Sequence, residues 1–236
     1  MKKFRKLAIS SLFPKHCAYC DRLIPGDKTT CNKCLKNLPR IEGKICPKCG
    51  IEKSRCNCKG RENYYETIVA PFYYEGNVRR GIHIYKFRHS VQNAEAFSAE
   101  MANTIKDKYG NINIDYITAV PSTKQSLKKR GYDQVDILAD KTAKLAGLEY
   151  KPQVLSKIYE TDIQHGLSAI MRRGNLAGVF DVNNPADVEG KTILLCDDIS
   201  TSGETLNECA KMLWLYGAEK IYCIALAITA PKKPKR

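Results

Sequence analysis

The chemistry of this chain concentrates in Lys191 to Thr205, KTILLCDDISTSGET. Thr192 to Cys196 suits a buried strand, because a parallel strand covered on both faces reads as an unbroken apolar run. Two carboxylates follow at once, Asp197 and Asp198, then Ser200-Thr201-Ser202-Gly203, and from Glu204 the pattern turns helical. The carboxyl end of a strand, at its turn into a helix, is where open α/β sheets bind ligands. Small residues let the backbone approach a phosphate closely, and a helix amino terminus offers unpaired N–H groups. The stretch Thr201, Ser202, Gly203, Glu204 and Thr205 therefore reads as a phosphate cradle. Acids beside a phosphate would repel it unless they accept hydrogen bonds from sugar hydroxyls. The plainer reading is an acidic cap on a helix. The apolar strand before the acids and the hydroxyl–glycine run after them favour a sugar phosphate.

A second chemistry lies near the start. Eight of the eleven cysteines fall between Cys17 and Cys58, in pairs: Cys17/Cys20, Cys31/Cys34, Cys46/Cys49 and Cys56/Cys58. Two cysteines separated by two residues present two thiolates to one tetrahedral ion, and two such knuckles complete a site. The simplest assignment is one structural zinc on Cys17, Cys20, Cys31 and Cys34 and another on Cys46, Cys49, Cys56 and Cys58. Cys56-Asn-Cys58 is irregular, so one or two zinc ions fit, and a crossed pairing satisfies the spacing as well. A disulfide scaffold suits an exported chain. Here the start, MKKFRKLAISSLF, has too short an apolar patch and no small-residue cleavage site, which reads as a short amphipathic helix. No run approaches the ~18–20 apolar residues of a membrane span. The expected compartment is the cytoplasm.

Charge separates the chain into regions. Residues 1–66 hold 16 Lys and Arg against 6 Asp and Glu, residues 67–231 hold 19 of each, and the tail adds four cations. Basicity confined to an appendage points to a polyanion, with nucleic acid the usual partner. Aromatics are sparse in that region, so base stacking is only weakly signalled.

The intervening chain must position the acids. Thr67 to Tyr74 reads as a strand, Asn77 to Phe87 as a helix ending in Lys86-Phe87-Arg88, and residues 92–109 as a second helix with Ala94, Phe97, Met101 and Ile105 on its core face. Lys86 and Arg88 serve either a pyrophosphate or a helix carboxyl terminus. Asp115 to Val120 is a strand leaving through Pro121-Ser122, and the basic run KQSLKKRGYDQ precedes a helix from Val135 to Leu145. A Lys/Arg–Gly loop beside a phosphate site closes over a polyphosphate and excludes water. Residues 151–158 are strand-like. Leu206 to Tyr216 is a helix with Gly217 as its cap, and Lys220 to Thr229 a final buried strand. The alternation predicts a mainly parallel, doubly wound α/β sheet behind a small cysteine-rich module. The expected divisions are a helix over 1–13, a double zinc ribbon over 14–60, the α/β domain over 61–230 and a basic tail over 231–236.

In order, the knuckles, APFYYEG, YKFR, the Val-Pro strand exit, KRGYDQ, QHGLSAIMRRGNLAGVF and LLCDDISTSGET resemble the ComF/ComFC family. Those are competence-associated proteins with a double zinc ribbon and a type I phosphoribosyltransferase-like domain. The resemblance implies binding of 5-phosphoribosyl-1-pyrophosphate (PRPP) with Mg²⁺. Asp197 and Asp198 would face the ribose hydroxyls, and Thr201 to Thr205 the 5′-phosphate. Lys86, Arg88, Lys129 and Arg130 would attend the pyrophosphate, with Arg130, Asp197 and Asp198 as the catalytic group. Gln164, Leu167, Ser168, Arg173 and Asn175 match the later signature. The implied role is DNA uptake in natural transformation, through single-stranded DNA on the basic amino-terminal module and proteins of the uptake machinery. The alternative is an active phosphoribosyltransferase of nucleotide metabolism whose acceptor base the sequence does not name.

Overall fold

A computed structural model describes residues 15–58, 62–87, 92–123, 125, 127, 128, 131–158 and 179–230. Its centre is a parallel sheet in which β6 (Thr192–Ser200) and β7 (Lys220–Ile228) lie side by side over their whole length. β3 (Tyr116–Ala119) flanks β6, and β1 (Thr67–Val69) flanks β7. The strand expected over Thr67–Tyr74 is interrupted at Ala70-Pro71, since proline has no N–H for the ladder. It resumes as β2 (Phe72–Tyr73), still parallel to β7 in unbroken register: Thr67 is opposite Tyr222 and Phe72 opposite Ala227.

Alternating side chains of β6 and β7 feed two layers, as the period of a strand requires. Leu194, Cys196, Ile224 and Leu226 join α2 (Gly76–Phe87), α3 (Asn93–Tyr109) and α4 (Gln134–Ala146). Ile193, Leu195, Cys223 and Ala225 join α5 (Glu204–Leu215). Cys196, Cys209 and Cys223 are packing residues without exposure, and burial pushes each thiol far up. The strand-like run at 151–158 leaves the main sheet. Its β4 (Leu155–Lys157) pairs antiparallel with β5 (Phe180–Val182), a two-stranded ribbon on the α5 side.

The cysteine-rich segment packs into the same cores. It carries one short helix, α1 (Asn32–Lys36). Tyr19 is 1% exposed and meets Phe72 and Phe97 edge-on, with ring centroids 5.9 and 5.4 Å apart. α2 passes so close that a Cβ on Gly81 would stand 2.5 Å from the Ala18 carbonyl oxygen. Glycine is the residue that admits this approach. Arg40 grips Glu100 of α3 through two hydrogen bonds of 2.9 Å. Ile41 N–H donates to the Pro71 carbonyl, and Arg40 bridges to Phe72, so the segment covers the edge of β2.

Candidate functional site

The pairing pattern decides where the acids stand. β3 ends its ladder with Ala119 opposite Cys196, Val120 N–H donates to the Cys196 carbonyl, and the chain leaves at Pro121. β7 goes on to pair with β6 as far as Ser200. Asp197 and Asp198 therefore lie inside the strand, not after it, on the stretch whose β3 flank has opened. Being successive, they point to opposite faces of the sheet.

Both are nearly sealed, at 9% and 5% exposure. Asp198 meets Lys86 Nζ with its two oxygens at 2.7 and 2.9 Å. Asp197 accepts the Asp198 N–H at 2.7 Å. Burial pushes the Asp197 carboxyl up to about 8, the neighbouring Asp198 charge adds to this, and the backbone N–H and Lys86 oppose it. A carboxyl whose neutral form is favoured by burial thus lies beside an ion-paired one.

Lys86 owes its place to a contact that the sequence does not signal. Tyr85 O–H donates to the Gln134 carbonyl at 2.7 Å, and Gln134 Nε2 donates back to the Tyr85 carbonyl at 2.6 Å. Tyr132 O–H donates to that same carbonyl at 3.4 Å. This reciprocal tie fastens the last turn of α2 to the first of α4, which Asp133 caps by accepting from Val135 and Asp136 N–H. Tyr132 and Gln134, at the end of the basic run KQSLKKRGYDQ, thus hold the helix that carries Lys86.

The loop after β6 follows its predicted form. Ser200 is buried and its carbonyl accepts from Thr229 N–H. Gly203 stands at φ 77°, the left-handed conformation that suits glycine, immediately before α5. Thr201, Ser202, Glu204 and Thr205 are exposed around it. Ser202 Oγ accepts from Glu204 N–H at 3.4 Å.

The thiols fall into the sequential sets, Cys17, Cys20, Cys31, Cys34 and Cys46, Cys49, Cys56, Cys58, with every Sγ within 4.8 Å of its fellows. Four sulfurs at ~2.3 Å from a tetrahedral zinc lie ~3.8 Å apart. Cys20 and Cys31 are at 3.8 Å, and Cys46–Cys58 and Cys49–Cys56 at 3.6 and 3.5 Å. The irregular Cys56–Cys58 pair is tighter, at 3.1 Å. Backbone N–H groups already point at sulfur, lowering Cys31 and Cys56 to about 7 through Cys34 and Cys58 respectively. Cys34 also accepts from Asn77 Nδ2 of α2. Both groups fit structural zinc, which would cross-link the short segments that carry the thiols.

Residues 8–67 match the double zinc ribbon domain family, and residues 136–236 the phosphoribosyl transferase domain family. The DNA utilization protein YhgH of Escherichia coli (strain K12) is 26% identical over 213 residues, covering 88% of each chain. Competence protein F of Haemophilus influenzae is 26% identical over 206 residues, covering 84% of this chain and 88% of its own. The chain is a homologue of the ComF-type proteins. Competence protein ComFC of Bacillus subtilis is 25% identical over 204 residues, covering 81% of this chain and 80% of its own. Among solved structures, the hypoxanthine phosphoribosyltransferase of Trypanosoma cruzi superposes with a TM-score of 0.38 at 13% identity, covering 62% of this chain and 70% of that one.

Of the residues that the ComF resemblance singles out, the fold thus brings Asp197, Asp198, Lys86 and the loop Thr201–Thr205 to one end of the sheet. Arg88, Lys129, Arg130 and the later signature, Gln164 to Asn175, lie outside the described residues. Among the described residues, no helix is long and apolar enough to cross a membrane.

Proposed function

We propose that the chain binds PRPP at the carboxyl end of β6 and handles DNA taken up in natural transformation. The observation that carries the ligand reading is the buried Asp197–Asp198 pair directly before a glycine-turned loop at the amino terminus of α5. Asp197 and Asp198 accept hydrogen bonds from the ribose 2′- and 3′-hydroxyls. The Thr201–Thr205 hydroxyls and N–H groups take the 5′-phosphate, with the positive end of α5 behind them. Lys86, held against Asp198 at 2.7 Å, guards that carboxylate until ribose arrives and then turns to the pyrophosphate with Lys129, Arg130 and Arg88. Mg²⁺ would accompany PRPP and supply positive charge against its pyrophosphate. Two zinc ions fill the cysteine groups as structural elements.

The DNA reading rests on charge and on kinship with relatives whose names speak of competence and DNA utilization. The amino-terminal 66 residues hold most of the excess positive charge, and Arg22, Lys33 and Lys36 are exposed on it. A cytoplasmic protein of this kind meets single-stranded DNA as it emerges, beside proteins of the uptake machinery.

Calorimetric titration with PRPP and Mg²⁺ tests the ligand reading: the wild-type chain binds and the Asp197→Asn/Asp198→Asn double variant does not. Equal binding by the variant refutes it. A second reading, turnover onto a base, is favoured by a cavity of about 470 Å³ where β3 exits, walled by Pro121, Ser122, Leu155 and Lys157. Pyrophosphate release with a panel of bases separates the two: dependence on one base marks an enzyme, and binding without release a sensor. For DNA, reversing Arg22, Lys33 and Lys36 to Glu in the full chain weakens single-strand binding and flattens its salt dependence. Unchanged affinity refutes the assignment.

A further inference from the structure

The phosphate loop also faces the second cysteine group. A cavity of about 260 Å³ has Thr201 to Gly203 on one side and Lys48, Asn57 and Cys58 on the other. Lys48 is the one charged side chain among the described residues that line it.

The backbone at Lys48 is fixed in place. Its carbonyl accepts from Tyr65 O–H at 2.9 Å and from Asn63 Nδ2 at 2.8 Å. The preceding carbonyl, of Pro47, accepts from Ile68 N–H of β1 at 3.0 Å. Two residues on, Gly50 at φ 72° lies so near β7 that a Cβ would be 2.5 Å from Ile228 Cδ1. Cys46 and Cys49 bracket Lys48 in the knuckle itself, so the metal ligands and these contacts fix the same short turn. The loop supplies hydroxyls and an acid, Glu204, and Lys86 is ion-paired with Asp198. A zinc with four thiolates carries about −2 in net charge, which by itself disfavours a phosphate next door. A single cation lining the same cavity offsets about half of that charge.

We propose that Lys48 is a phosphate-binding residue of this loop, delivered there by the second cysteine group, so that metal in that group sets the affinity for a phosphate monoester. The proposal rests on the reading of Thr201–Thr205 as the phosphate cradle. It explains why a cysteine-rich segment is built against this end of the sheet: it completes the site.

Titration of the full chain with ribose 5-phosphate and with inorganic phosphate, at fixed ionic strength, tests it. Lys48→Ala weakens binding about tenfold, the scale of one charge-assisted contact. Lys48→Glu weakens it further, and Lys48→Arg returns to within about threefold of wild type. Lys48 is exposed, so these variants keep the fold, checked by circular dichroism and zinc content. Cys58→Ser, which depletes the second group, gives a loss like that of Lys48→Ala. The control is Thr201→Ala/Thr205→Ala, which removes the cradle. If that control loses binding while Lys48→Ala and Lys48→Glu bind as wild type, the role of Lys48 is overturned and the cradle stands. If the control itself binds as wild type, the cradle is overturned.

Discussion

Replacing Asp197 by asparagine tests the electrostatics of the site directly. The side chain is 9% exposed and its carboxyl is pushed up to about 8 from a reference of 3.8. The folded-state value lies above the unfolded one, so the folded chain keeps this proton after the unfolded chain has lost it. The associated stability is full below about pH 4 and drains away as pH rises toward 8. The asparagine side chain has the same shape, retains an oxygen for the Asp198 N–H and never ionises. The variant should therefore be more stable than wild type, with a gain that grows by about 1.4 kcal/mol per pH unit in this window. At pH 7 the ceiling is about 4 kcal/mol, and relaxation around Lys86 brings the expected gain to about 3 kcal/mol. For a chain of this size that raises the melting temperature by about 6–12 °C. The assay is thermal or urea unfolding at pH 5.5 and 7.5, where the gain should differ by about 2–3 kcal/mol. A gain that is the same at both values, or a loss at both, refutes the raised pKa. The variant should at the same time fail to bind PRPP, since a sugar-binding acid held at a cost in stability is retained for its ligand.

Three further outcomes follow from the packing. Gly81→Ala puts a methyl group 2.5 Å from the Ala18 carbonyl and should lower stability by about 1–3 kcal/mol, read from the urea midpoint. Gln134→Ala removes the Nε2 half of the tie to Tyr85 and leaves the Tyr85 O–H bond to the backbone carbonyl of residue 134; a loss of about 1–3 kcal/mol is expected, with PRPP affinity reduced because the anchor of Lys86 is weakened. Zinc removal should act unequally. Cys17 and Cys34 are buried with Tyr19 in the α2–α3 core, whereas every ligand of the second group is partly exposed. Cys17→Ser should therefore collapse near-ultraviolet dichroism across the chain, and Cys58→Ser should leave most of it.

Much was legible because local rules settle it. The apolar run before Asp197, the spacing of the cysteines and the period of residues 92–109 each constrain a few neighbouring residues, and the strand, the knuckles and α3 appear where those rules put them. A two-residue spacing dictates that two thiolates face one ion whatever surrounds them. The hydroxyl–glycine run likewise dictates a tight turn before a helix, and Gly203 adopts the left-handed conformation there.

Other features were beyond any local rule. That Asp197 and Asp198 lie within β6 follows from β7 outlasting β3 as its partner, a fact about neighbouring strands. That one acid is ion-paired and the other pushed toward its neutral form depends on Lys86 arriving from 112 residues away in sequence and on the depth of burial. Whether the cysteine pairs combine in sequence or crossed depends on how the segment lies against α2 and β1. The sequence by itself determined which groups the chain owns and their local shapes. The tertiary structure alone decided which of them share a solvent-excluded space, because Coulomb interaction and desolvation depend on distance and burial, which composition and spacing do not contain.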